Sequence, residues 1–328
     1  MKKRFVVGIM GCASIAERMM IPAIQNSLYF DLKLIASRSQ SKAKQFAQKF
    51  NIEAVVGYEN LLNNPNIEVI YMPLPTGLHL EWAIKTLNAG KHLLIEKSLA
   101  NNYEETKTIV SLAKKKGLLV MENFMFQYHS QMGELSKLLD SHVIGDIRSV
   151  HISFGFPPFK DSSNIRYSHE LGGGSLLDAG SYTLKIAQLL PVGKLKIQGA
   201  SLVQSRTHGV DISGECFLTT NQGIGIHTSF GFQHYYQCKL EIWGSQGKII
   251  AHRIFTAGPN VIPKIEVETE KKTIQISTSA DNHFINLLSH FGNCLQQMDF
   301  IESEYQLLLQ QSYLLEELRL KAEIFYQN

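Results

Sequence analysis

The segment Arg4 to Ile9 is a short apolar run that breaks at Gly11-Cys12-Ala13 and resumes as a helical pattern from about Ser14 to Asn26. A strand that turns sharply into a helix leaves the first backbone N–H groups of that helix unpaired and facing the turn. Together with the helix dipole they favour an anion there. The stretch Gly8-Ile9-Met10-Gly11-Cys12-Ala13-Ser14-Ile15-Ala16 therefore reads as a pyrophosphate-holding loop, with Gly11, Cys12, Ala13, Ser14, Ile15 and Ala16 as its contacts. It departs from the full G-x-G-x-x-G/A fingerprint, because Ala13 stands where the second glycine usually does.

The rest of the N-terminal part repeats the same alternation. Apolar strands at Leu32 to Ser37, Glu68 to Leu74, His92 to Glu96 and Leu118 to Glu122 are separated by helical stretches at Ser41 to Phe50, Gly77 to Ala89 and Tyr103 to Lys116. Near-continuous apolar strands between helices imply a parallel, doubly wound α/β sheet covered on both faces. After Phe124 one helical stretch leads into runs with strand alternation: Ile147 to Phe156, Lys196 to Thr207, Gly214 to Thr220, Gly223 to Phe230 and Cys238 to Trp243. Asn221-Gln222-Gly223 suits a hairpin, so an open, largely antiparallel sheet in an α+β domain is expected, closed by a helical region from about Asn282 to Gln327. A chain of 328 residues exceeds one ordinary core. The reading is two domains, 1–124 for a dinucleotide and 125–328 for substrate and oligomerisation.

Composition excludes several classes. With 44% hydrophobic and 19% charged residues the chain is globular rather than disordered. The basic run Lys114-Lys115-Lys116 falls at a helix end, where cations suit the dipole, and lacks the aromatic interleaving of a nucleic-acid surface. No apolar run reaches membrane-spanning length. Cys12, Cys216, Cys238 and Cys294 have no metal-ligand spacing and read as reduced thiols of a cytoplasmic protein.

The end of the second strand distinguishes the nicotinamide cofactors, since an acid there binds the ribose 2′-hydroxyl and an arginine accommodates a 2′-phosphate. Here it reads Ala36-Ser37-Arg38, and the nearby acid, Asp31, lies at the wrong end of the strand. Ser37 and Arg38 therefore favour NADP(H) over NAD. Two further segments, Met72 to His79 and Gly90 to Leu99, bring polar groups to the carboxyl edge, where open α/β sheets bind ligands. Lys97 there can hold a carbonyl substrate, and Glu96 can orient its ammonium group, although an ordinary ion pair is the plain alternative.

Together with Gly172-Gly173-Gly174-Ser175-Leu176-Leu177-Asp178-Ala179-Gly180-Ser181-Tyr182, these segments make the chain resemble the Gfo/Idh/MocA oxidoreductase family. That family joins a Rossmann domain to an open-sheet domain. Its E-K-P lysine matches Lys97, with Ser98 replacing the proline, and Tyr182 stands where many members have histidine. Tyr71 to Pro75, Met121 to Phe126, Pro157-Pro158 and Asn164 to Tyr167 further resemble the C3-ketoreductases of nucleotide-activated deoxysugar biosynthesis. The resemblance implies that Lys97 and Tyr182 are catalytic and flank the carbonyl. It places Arg166 and Asp178 near the nicotinamide, Tyr58, Leu74, His79 and Glu96 along the cofactor, and Tyr236 and Thr256 facing the sugar nucleotide. It also implies a homo-oligomer, dimer or tetramer. His79 and Asp178 have helix-capping alternatives. A free-aldose or trans-dihydrodiol dehydrogenase and a non-catalytic dinucleotide sensor are the competing readings.

Overall fold

The computed structural model describes residues 3–298 and 301–327. In chain order the elements are β1 (Phe5–Met10), α1 (Ile21–Gln25), β2 (Phe30–Ser37), α2 (Gln40–Phe50), β3 (Glu53–Val56), α3 (Tyr58–Leu62), β4 (Val69–Met72), α4 (His79–Asn88), β5 (His92–Ile95), α5 (Tyr103–Lys116) and β6 (Val120–Glu122). There follow α6 (Ser130–Asp140), β7 (Ile147–Gly155), α7 (Ser181–Leu189), β8 (Leu195–Ser205), β9 (Asp211–Thr220), β10 (Gly225–Gly231), β11 (Gln237–Gly244), β12 (Gly247–His252), β13 (Lys264–Thr269), β14 (Thr273–Ser277), α8 (His283–Gln297), α9 (Ile301–Lys321) and β15 (Ala322–Gln327).

The first compact unit comprises the chain through Phe124 together with Phe284–Ser312. Its six strands run parallel in the order β3-β2-β1-β4-β5-β6. The order reverses direction between β1 and β4, which opens a crevice at their carboxyl ends. All four residues of β4 are buried, because helices cover both faces. The helix ends follow local chemistry. Asn102 Oδ1 accepts the Glu105 amide at 2.9 Å to start α5, and the lysine triplet stands in its last turn before Gly117. The short edge strand β3 was not anticipated, since its four residues are exposed or half-exposed and carry little period. The sequence boundary gave everything beyond 124 to the second domain. Phe284–Ser312 instead packs with the first unit, where Tyr305 and Leu308 join the core and the Tyr305 hydroxyl donates to the Leu118 carbonyl.

The second unit, Met125–His283 with Tyr313–Asn328, holds a nine-stranded sheet ordered β14-β13-β12-β11-β7-β10-β9-β8-β15. It is antiparallel except for the pairs β7–β10 and β8–β15. The hairpin at Asn221 to Gly223 joins β9 to β10 as expected, with Gly223 at φ 81°. Alternation puts Val150, Ile152 and Phe154 of β7 inside and leaves Ser149, His151 and Ser153 on the other face. The expected continuous terminal helix is corrected: α9 ends at Lys321, and Ala322–Gln327 pairs with β8 as a strand. Ile324-Phe325-Tyr326 are strand formers, and the pairing overrides the helical pattern that precedes them.

His283 gives this unit a pH dependence. Its ring is buried and meets His129 edge-on at 5.7 Å, and burial, then His129, pushes its pKa down to about 4 against the pull of Asp281. The unfolded chain accepts a proton near pH 6.5 that the folded state resists, so stability falls as pH drops from 6.5 toward 4. The expected loss is about 3 kcal/mol. Unfolding measured against pH for wild type and His283→Asn should show this slope reduced in the variant. Equal slopes would rule the assignment out.

Candidate active site

In the first unit the carboxyl edge is built around Gly11. Its φ of 120° suits glycine alone, and a Cβ there would press within 3.0 Å of Leu74 Cδ2. The Gly11 amide donates to the Ala36 carbonyl at 2.9 Å, tying the loop to the end of β2. The chain is helical from Ser14, passing through a π-turn at Ala16–Met20 into α1. Ala16 is fully buried, so it packs the helix onto the sheet, while Cys12, Ala13 and Ser14 line the turn itself. Burial pushes the Cys12 thiol up, against a hydrogen bond with Ser37, which keeps it un-ionised at neutral pH.

Ser37 is buried at the end of β2 and its Oγ accepts the Ser39 amide at 3.2 Å. Arg38 is exposed beside the Tyr58 hydroxyl, and Tyr58 is held edge-on against Trp82 at 4.9 Å. Burial raises the Tyr58 pKa, so the phenol is neutral and Arg38 keeps its charge available for an anion. A side-chain-free approach at Gly11, open helix N–H groups and a guanidinium at the end of β2 together fit a dinucleotide with a 2′-phosphate. Arg38→Ala should therefore raise the Kd for NADPH by about 10- to 100-fold, the worth of one charge-assisted contact, and leave that for NADH nearly unchanged. Fluorescence titration with both cofactors checks this. An equal loss for the two would remove Arg38 from phosphate recognition.

His79 differs from expectation. It is fully buried, with Nε2 2.8 Å from the Leu74 carbonyl and Nδ1 2.9 Å and 3.2 Å from those of Ser98 and Leu99. With both ring nitrogens on backbone, it is corrected from a cofactor contact to a positioning residue that ties the loop after β4 to the loop after β5. Burial lowers its pKa, so the neutral ring donates to one side only.

The second loop carries Glu96, Lys97 and Ser98. Glu96 Oε1 accepts the Tyr71 hydroxyl at 2.6 Å and Asn123 Nδ2 at 2.5 Å. Burial raises the Glu96 pKa, opposed by these two bonds and then by Lys97, while burial and Glu96 push Tyr71 well above its ordinary value. Glu122 Oε1 accepts the Leu99 amide at 2.7 Å, and the Lys97–Ser98 peptide bond is cis. Tyr71 and Asn123 thus hold the Glu96 carboxylate, and Glu122 the Leu99 amide, on either side of Lys97 and Ser98. The only local sign of this is weak: polar residues inside or just after otherwise apolar strands.

In the second unit the glycine-rich segment wraps around Asp211. Ser175 Oγ and the Leu176 amide donate to Asp211 Oδ2 at 2.7 and 2.6 Å, and at Gly174, with φ 113°, any Cβ would collide with that carboxyl group. Burial pushes the Asp211 pKa up against these bonds. Asp211 was missed because a lone acid at a strand start has no local signature. The turn it anchors continues through Asp178, whose Oδ2 accepts from Arg166 Nε at 2.6 Å, into α7 and Tyr182. The Tyr182 ring lies among Phe126, Phe154 and Phe255 at 5.8, 5.3 and 5.5 Å, and its hydroxyl donates to Met125 Sδ at 3.7 Å. Next to Phe255, Thr256 shares a 2.6 Å hydroxyl–hydroxyl bond with Tyr236. Tyr182, Tyr236 and Thr256 therefore belong to one aromatic neighbourhood, and Arg166 and Asp178 form one ion pair.

Comparison with known proteins agrees with this architecture. Residues 5–124 match the family model described as the oxidoreductase family, NAD-binding Rossmann fold, and residues 132–250 match the GFO/IDH/MocA C-terminal domain. A dTDP-3,4-didehydro-2,6-dideoxy-alpha-D-glucose 3-reductase from Saccharopolyspora spinosa is 39% identical over 89% of this chain and 88% of its own length. An enzyme of the same name from Actinomadura kijaniata is 36% identical over 98% of this chain and 96% of its own. The crystal structure of a 3-ketoreductase from Actinomadura kijaniata with NADP and TDP-benzene superposes with a TM-score of 0.96 at 35% identity, covering 99% of this chain and all of that one. Among the described residues no helix is long and apolar enough to cross a membrane, and the four cysteines are free.

Proposed function

The chain belongs to the Gfo/Idh/MocA oxidoreductase family, and on that premise we propose that it reduces the C3 keto group of a nucleotide-linked keto-deoxyhexose at the expense of NADPH. The substrate class is a dTDP-linked 3,4-didehydro-2,6-dideoxyhexose, as in the names of its relatives. The observation that carries this reading is Lys97 at the carboxyl end of β5, between a Glu96 carboxylate and a Leu99 amide that buried polar partners hold, in a chain so similar to named 3-reductases.

NADPH, when bound, supplies the hydride; the ketone then becomes an alcohol by taking one proton on oxygen. Lys97 and Tyr182 are the proposed sources of that proton and of hydrogen bonds to the developing alkoxide. Gly11, Ser14 and Arg38 hold the dinucleotide by its phosphates, and Tyr58 and Leu74 shape the turn beside them. Arg166 and Asp178 are proposed to orient the nicotinamide end, and Tyr236 and Thr256 to meet the sugar nucleotide. A sensor that only binds the dinucleotide would need neither the fixed Lys97 loop nor Tyr182. We also propose a homo-oligomer, supported by Phe217 and Trp243 exposed on the outer face of the large sheet.

The test is NADPH oxidation with the keto-deoxysugar nucleotide and NADP+ reduction with free aldoses, run with the intact chain. Turnover confined to the nucleotide-linked ketone is expected. Turnover with free sugars alone would overturn the proposal.

A further inference from the structure

We propose that His290, Cys294 and Glu304 form a binding site for one divalent transition-metal ion of the zinc class, separate from the dinucleotide site. His290 and Cys294 are four residues apart on α8 and so share one face, and Glu304 comes from the first turn of α9. Their donor atoms all lie within 4.8 Å of one another. His290 Nε2 is 2.9 Å from Glu304 Oε1 and 3.6 Å from Cys294 Sγ. A single ring nitrogen carries one hydrogen or one lone pair, so it cannot bond fully to both neighbours. A cation at the point of convergence satisfies all three.

One edge already matches a tetrahedral ion, and the Sγ-to-carboxylate edge, within 4.8 Å, must close to about 3.6 Å by rotation of the Glu304 or Cys294 side chain. Bonds of about 2.0–2.1 Å to nitrogen and about 2.3 Å to sulfur put the N···S edge at about 3.6 Å, the observed value. The N···O edge should be about 3.3 Å, so Glu304 backs away by about 0.4 Å on binding. A thiolate, an imidazole and a carboxylate select Zn²⁺ or Co²⁺ over Mg²⁺ or Ca²⁺, with the fourth position left to water. Cys294 is buried and Glu304 nearly so, while His290 is partly exposed and gives the ion a way in.

The location assigns a structural role. Phe291 of α8 stacks on Phe30 at 5.7 Å, and the Tyr29 hydroxyl donates to Asn293 Oδ1 at 2.6 Å. Phe30 opens β2 and Ser37 closes it, about 23 Å further along the strand. The ion therefore sits by the amino edge of the sheet, clamps α8 to α9 and takes no part in hydride transfer.

Tag-free protein stripped with chelator should bind one Co²⁺ per chain, with thiolate-to-cobalt charge-transfer absorption in the near ultraviolet that Zn²⁺ abolishes. Zn²⁺ should also raise the unfolding midpoint by a few degrees. Cys294→Ala should lose the band and Cys216→Ala should keep it. Should Cys294→Ala fold poorly, Glu304→Gln, read by cobalt titration rather than by its unfolding midpoint, should bind at least roughly tenfold more weakly. No charge-transfer band in the wild type, the band surviving in Cys294→Ala, or unchanged affinity in Glu304→Gln would each overturn the proposal.

Discussion

Lys97→Ala should lower kcat for ketone reduction by about 10²- to 10⁴-fold, while the Kd for NADPH stays within about threefold of wild type. The lysine is asked to do two things. Its ammonium stabilises negative charge as it grows on the carbonyl oxygen, and it can give up a proton to that oxygen. Both belong to the transition state, so the loss should fall on kcat rather than on KM. Lys97→Arg should recover only part of the rate, because a planar guanidinium holds its proton more firmly and presents a different geometry. Stopped-flow NADPH oxidation with separate cofactor titration reads both quantities. A Lys97→Ala enzyme with more than about a tenth of wild-type kcat would take the central role away from this residue.

Tyr182→Phe is the second large effect expected, a fall in kcat of about 10- to 100-fold with the fold intact. Phenylalanine keeps the ring in its place between Phe126, Phe154 and Phe255, so what is lost is the hydroxyl group rather than the packing. An unfolding midpoint close to wild type, measured beside the kinetics, separates the two. Full activity in Tyr182→Phe would leave proton donation to Lys97 or to water. A double variant no slower than Lys97→Ala alone would mean that the two groups act as one unit.

The parallel sheet was the most legible part of this protein. Strands such as β4, buried on both faces, show as apolar runs, and the glycine turn after β1 marks where the crevice opens. β3 and β12 to β14 escaped notice because short, half-exposed strands share their residue types with loops, and their pairing is decided by partners far away in sequence. Ala322–Gln327 shows the same limit, since it is strand only because β8 offers an edge.

Within the site, the residues proposed to face ligand carry motif signals, and those that hold them carry few. Gly11, Ser37, Arg38 and Lys97 stand at strand ends where their chemistry can be read. Asp211 reaches Ser175 and Leu176 across 35 residues or more of sequence, and Glu96 meets Tyr71 and Asn123 across 25 and 27. Such supports depend on tertiary proximity, which spacing along the chain does not reveal. His79 shows the reverse: a histidine beside a conspicuous proline-rich segment is fully buried, with backbone carbonyls facing both ring nitrogens and its one N–H donated to one of them.

In the proposed reaction the hydride goes to C3 of a nucleotide-linked keto-deoxyhexose. NADPH carrying deuterium at C4 of its nicotinamide ring, turned over with a dTDP-linked 3,4-didehydro-2,6-dideoxyhexose, tests it most directly, with the product read by NMR. One deuterium at C3 is the expected result. Deuterium at C4 of the sugar, or none in the product while NADPH is consumed, would contradict it.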